Sequence, residues 1–117
     1  MTVTQISKQN AKILRLVGKF DFKARKEITT ALTNAIQDSV SHIILNFQGV
    51  SYIDSAGLGM LGNFDDQFRN RHIKVSLVSL QPTVEKIITM ARLEEKFALY
   101  PTEEDALSGK QRSLVGK

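Results

Sequence analysis

Apolar positions along this chain recur with two periods, and the switches between them outline the elements. Val3 to Ile6 and Ala11 to Val17 read as two short strands around a Ser7-Lys8-Gln9-Asn10 turn. Asn10 suits that turn because asparagine tolerates left-handed backbone geometry, and Gly18 punctuates the end of the second strand. Asp21 is placed as a helix N-cap. Behind it Ala24, Ile28, Ala31, Leu32, Ala35 and Ile36 follow helical spacing, with Lys26, Glu27, Thr30 and Asn34 mostly on the other side, which predicts one amphipathic helix over residues 22–38.

His42 to Phe47 contains the continuous apolar run Ile43-Ile44-Leu45, as expected of a central strand buried on both faces. A polar turn follows and ends in Asp54-Ser55-Ala56-Gly57. Leu58, Leu61, Phe64 and Phe68 then mark a helix over residues 56–69, and Ile73 to Leu77 is a fourth strand. Pro82 suits a helix start, where its missing N–H costs nothing, and Val84, Ile87, Ile88 and Ala91 form that helix's buried stripe. Phe97 to Tyr100 is a short last strand. Thr102 caps a final turn in which Glu103, Glu104 and Asp105 suit a helix N-terminus. This order predicts an α/β fold, a small sandwich with a mixed sheet of four to five strands and helices largely covering one side. One domain is expected over residues 1–108, with a flexible tail over 109–117.

Composition narrows the chemistry. The chain has 117 residues and a hydrophobic fraction of 42%, enough for a core without covalent staples. It has no cysteine, which excludes disulfides, thiolate zinc sites and thiol catalysis. His42 and His72 are the only histidines, too few for a histidine-rich metal site, and each reads as a surface or edge residue. Net charge is +4, from 16 Lys+Arg against 12 Asp+Glu. The cations form only small clusters, at Lys23-Ala24-Arg25-Lys26, over residues 69–74 and in the tail, and no basic-aromatic alternation suggests nucleic-acid binding. The polar N-terminus lacks an apolar signal core, and no apolar run nears the roughly 20 residues needed to span a bilayer. The expectation is a cytoplasmic protein.

The junction after the central strand carries the functional signal. Ser55 lies where a strand passes into a helix, among small residues that leave its hydroxyl open to a partner. Gly57-Leu58-Gly59-Met60-Leu61-Gly62 formally matches a dinucleotide fingerprint. Gly49 to Ala56, however, separates its first glycine from the strand, and no acid follows near Val78 to Gln81. Ser55 is not in a nucleophile elbow, since residues 53 and 57 are Ile and Gly. Asp65-Asp66 reads as a solvated helix face without a third metal ligand. The glycines read as clearance, Gly57 for a partner beside Ser55 and Gly62 equally for a partner or for tight helix–sheet packing. No cofactor, no metal and no enzymatic activity are expected.

The motifs together resemble the STAS domain family, in its anti-sigma-factor antagonist form. Gly18-Lys19-Phe20-Asp21 is similar to the family's Gly-x-x-Asp, and Leu45 to Gly57 to its signature. Pro82 to Ile88 and Leu93 to Phe97 are similar to its late helix and last strand. Asn46 departs from the family's common Asp, and Lys23, Arg25 and Lys26 make the neighbouring helix unusually basic. The resemblance implies phosphorylation at Ser55 by a serine-kinase anti-sigma factor, which binds the unphosphorylated protein and releases it on modification. It also implies a serine phosphatase that resets phospho-Ser55. Asp21, Asp54, Ser55, Ala56, Gly57, Leu58 and Gly59 would form the partner-binding surface. Neither direct nucleic-acid binding nor membrane insertion is implied. The competing role within the family is an adaptor subunit of a lipid-transport ATPase or of a sensory assembly.

Overall fold

The computed structural model describes residues 1–37 and 39–109. Five strands form one sheet in sequence order: β1 (Thr2–Lys8), β2 (Ala11–Phe20), β3 (His42–Ile53), β4 (Lys74–Val78) and β5 (Ala98–Tyr100). The β1–β2 pair is antiparallel and every later pair is parallel. The crossovers are helices α1 (Arg25–Ala35), α2 (Ser55–Arg69) and α3 (Pro82–Met90), and α4 (Glu103–Ser108) follows β5.

Helices α1, α2 and α3 pack on one face. Their Ile28, Leu32, Leu61, Phe64, Val84 and Ile88 join Leu14, Leu16, Leu45, Phe47 and Leu77 in the main core. The opposite face holds a smaller cluster in which Ala106 of α4 covers Ala11, Ile13, Ile44, Val78 and Tyr100. The mixed sheet and its largely one-sided helical cover are therefore as the sequence predicts. Residues Ile43 to Phe47 of β3 are all buried, as befits the middle strand.

Several boundaries differ from expectation. The left-handed residue in the first hairpin is Gln9 (φ 54°), not Asn10. Strand β2 does not stop at Gly18: that residue, at φ 130°, carries the chain on to Phe20, in backbone space that side chains disfavour. The first helix starts as a separate 3₁₀ turn, Phe22–Ala24, and α1 ends at Ala35; residue 38 lies outside the described residues, as do residues 110–117 of the expected tail.

The largest difference is in β3, which continues through the expected polar turn to Ile53. Pairing with β2 passes from Arg15↔Asn46 to Val17↔Gly49, and from Gly18↔Val50 to Lys19↔Tyr52. Each step spends one more residue on β3 than on β2, the signature of a β-bulge. The bulges turn Phe47, Val50 and Ile53, spaced by three, toward the same core. Simple alternation would have put Val50 on the other face. Strand β4 pairs only with His42 to Asn46, so the bulged half of β3 and the end of β2 extend beyond it.

Two polar readings also change. Asp65 is not on a solvated face: it is 7% exposed and ion-paired with Arg69 one turn later on α2, while Asp66 is exposed. His42 is half-buried at the start of the central strand, with its Nε2 2.7 Å from the hydroxyl of fully buried Ser76 on β4. His72 is exposed, at φ 59° in the turn before β4.

Candidate functional site at the carboxyl ends of the central strands

In parallel α/β sheets the carboxyl ends of strands and the helix N-termini that follow them make the natural binding crevice. Here β2 and β3 end side by side, with Phe20 paired to Ile53. The next residue on each strand is an aspartate, and each aspartate caps a helix. Asp21 Oδ1 accepts from the Lys23 amide at 3.1 Å, and Asp54 Oδ1 accepts from the Gly57 amide at 3.0 Å. Both caps have extended backbone, as N-caps require. The register thus brings Asp21 and Asp54 to neighbouring strand ends, roughly one strand spacing of 4.8 Å apart along the sheet.

Ser55 is the first residue of α2, one position earlier than the periodicity predicts, and it is exposed. The Asp54 side chain takes the Gly57 amide and its carbonyl takes the Leu58 amide at 2.9 Å. The amides of Ser55 and Ala56 lie outside the helix's own hydrogen-bond ladder. Ala56 and Leu58 are partly exposed and Gly59 is exposed, so Ser55, Ala56, Leu58 and Gly59 offer surface to a partner. No imidazole can serve Ser55 as a base: His42 opens the twelve-residue strand that Ser55 follows, and His72 lies at that same far end.

Gly57 departs from the role expected of it. Gly57 is buried, and a Cβ there would come within 2.2 Å of the Phe20 carbonyl oxygen, 2.7 Å of the Phe20 ring and 2.9 Å of Ile53. Its missing side chain therefore serves helix–sheet packing and not partner clearance. At Gly59 and Gly62 a Cβ would meet nothing within 4 Å, so the open space lies about one and two turns beyond Ser55 along α2. Sequence could not separate these cases, because the atoms that fill the Gly57 position come from β2 and β3.

Exposed aromatic groups flank the two aspartates. Tyr52 lies two residues before Asp54, with the Lys19 ammonium 5.8 Å from its ring centroid. Phe22 follows Asp21 and is 68% exposed. Neither stood out in the sequence, where each looks like one more apolar residue beside a strand end.

Asn46 supports the sheet on the opposite face. It is buried; its Nδ2 donates to Glu103 Oε2 at 2.6 Å and its Oδ1 accepts from the Gln48 amide at 2.8 Å. Arg15 donates to both Glu103 oxygens at 2.9 Å. The Arg15 hydrogen bond chiefly holds the Glu103 carboxyl below its ordinary range, helped by Asn46. The amide at position 46, in place of the common Asp, thus donates to a carboxylate supplied by α4. It also binds the amide of the first bulge, whose Gln48 carbonyl accepts from Gln81 Nε2 at 2.7 Å.

Residues 3–106 match the STAS domain family, and the chain belongs to it. It is 29% identical over 96 residues to the anti-sigma F factor antagonist of Lysinibacillus sphaericus, covering 81% of each chain. A STAS-domain containing protein of Pseudomonas aeruginosa is 26% identical over 86 residues, which span 74% of this chain and 84% of that one. The unphosphorylated anti-sigma factor antagonist SpoIIAA superposes with a TM-score of 0.74 at 25% identity, over 95% of this chain and all of that one. Among the described residues no helix is long and apolar enough to cross a membrane, and no group of three or more His, Asp or Glu could hold a metal ion.

Proposed function

We propose that this protein is an anti-sigma-factor antagonist that works as a phospho-switch. Unphosphorylated, it binds a serine-kinase anti-sigma factor through Asp21, Asp54, Ser55, Ala56, Leu58 and Gly59; phosphorylation of Ser55 releases it, and a serine phosphatase restores it. The observation that carries this reading is an exposed Ser55 at the first position of α2, directly after its Asp54 cap. The similarity to the Lysinibacillus sphaericus antagonist supports the pathway.

The geometry suits a modification that leaves the fold intact. A phosphate adds nearly two negative charges and three acceptor oxygens. At the start of a helix it meets unpaired amides and the positive end of the dipole. Within a closed interface the same charges would lose water and face Asp21 and Asp54. A loss of about 1.4 kcal/mol is already tenfold in affinity. The protein itself supplies an acceptor hydroxyl and performs no catalysis.

Purified serine-kinase anti-sigma factors from the source organism test this reading. Ser55→Ala should abolish phosphorylation and keep binding, and Ser55→Asp should weaken binding at least tenfold in calorimetry. Equal binding by Ser55→Asp and the unmodified protein would sink the proposal.

A further inference from the structure

The surface beside Asp21 has a composition that the phospho-switch does not itself require. Phe22, Lys23, Arg25, Lys26, Thr29 and Thr30 line a shallow recess of about 520 Å³ on the outer side of the 3₁₀ turn and α1. All six are exposed, and Phe22 is among the most exposed large apolar side chains of the protein. Among the described residues, none of the three cations has an acidic side chain within ion-pair distance. Glu27 is the only acid on this stretch and does not line the recess. An exposed aromatic side chain among cations that form no ion pair suits an interface, where aromatic residues and Arg are enriched.

We infer that this recess docks an acidic, apolar-centred face of the same kinase that reads Ser55, with Phe22 as the anchor and Lys23, Arg25 and Lys26 as the charge complement. The inference rests on the phospho-switch reading and adds the chemistry of the partner. Two observations favour one partner spanning both features. Phe22 directly follows Asp21, whose strand end adjoins that of Asp54 and Ser55. The charges also oppose one another. Phosphate at Ser55 adds nearly two negative charges at the strand end next to the one from which the recess's three cations follow, and so weakens the field that attracts an acidic face. Release then comes from loss of complementarity over a shared surface as well as from crowding at the serine. Attraction of this kind acts mostly on association rate and on choice of partner, and salt screens it.

The test uses the full chain and purified serine-kinase anti-sigma factors. The triple variant Lys23→Glu/Arg25→Glu/Lys26→Glu should bind at least tenfold more weakly at low ionic strength. The deficit should shrink in about 0.5 M salt, where the screening length is only a few ångströms. Phe22→Ala should weaken binding at both salt levels. Ser55→Asp should cost less affinity in the triple-variant background than in the unmodified protein, because its target field is already gone. Reversal of the distant exposed cations Arg71 and Lys96 should change binding little. If a kinase binds the unmodified protein and the triple variant matches it at every salt concentration, the docking surface is refuted while the phospho-switch stands. If no kinase binds the unmodified protein, both readings fall. Binding to phosphatidylglycerol vesicles that the triple variant loses, with kinase affinity unchanged, would assign the recess to a lipid surface and overturn the inference.

Discussion

The two faces of the sheet are built from different forces. The face under α1, α2 and α3 is apolar and closely packed, and its tightest point is Gly57 against Phe20 and Ile53. The face under α4 is joined by polar groups: Arg15 and Asn46 converge on Glu103, His42 meets Ser76, and the Lys74 ammonium donates to the Tyr100 hydroxyl at 2.9 Å. Packing does not respond to pH, whereas hydrogen-bonded charges do. Ser55 is therefore held by the packing of α2 together with its Asp54 cap, whereas the groups with displaced pKa values, His42, Arg15 and Glu103, collect on the other face.

Substitutions on the two faces should separate these forces. The largest effect is expected for Gly57→Ala, whose methyl group would strike backbone and not a movable side-chain tip. Overpacking of this kind should cost about 3 kcal/mol in a denaturant titration; a loss below about 1 kcal/mol would show that α2 can lift from the sheet without penalty. On the other face, Asn46→Asp should cost about 2 kcal/mol at neutral pH, because it sets a second carboxylate against Glu103 and removes a donor. Part of that loss should return on mild acidification, as one of the two carboxyls takes up a proton. Recovery on raising the pH would contradict the polar account of this face.

His42 gives a smaller effect with a definite sign. Burial, and secondarily the Lys74 charge, lower its pKa from the ordinary 6.5 to about 4. Between these values the unfolded chain binds the proton more readily, so stability is full above pH 6.5 and falls as the pH drops toward 4. With the ring only half-buried, solvent screening limits the loss to about 1–2 kcal/mol. His42→Gln should flatten the stability profile in that window. The smallest effect is a gain: Gly59→Ala, in open space inside a helix, should stabilise by about 0.5–1 kcal/mol. If a partner uses that opening, the same variant should bind its kinase more weakly while melting higher.

Local chemistry was legible in the sequence and long-range chemistry was not. Asp21 and Thr102 announce their caps because the amides they bind lie two or three residues ahead. Pro82 announces a helix start by its own ring. The Arg69 partner of Asp65 was also within local reach, four residues on, but the doubled aspartate suggested solvent. Glu103 is 88 residues from Arg15 and 57 from Asn46, so no spacing rule could join them. The end of β3 is illegible because apolar residues three apart break strand alternation unless bulges are assumed.

Those bulges give the protein a separate adjustment for aim. Each is a one-residue surplus that bends the strand and increases its twist, and deleting the surplus residue itself leaves the side chains on either side of it facing as before. Removing Ser51 would restore plain pairing of Gly18-Lys19-Phe20 with Val50-Tyr52-Ile53 and leave both apolar residues inward. The helix launched from that strand would nevertheless point in a new direction. Stability and the orientation of Ser55 are thus encoded by different residues, and gain or loss of a single residue in β3 would re-aim α2 while keeping the same interior.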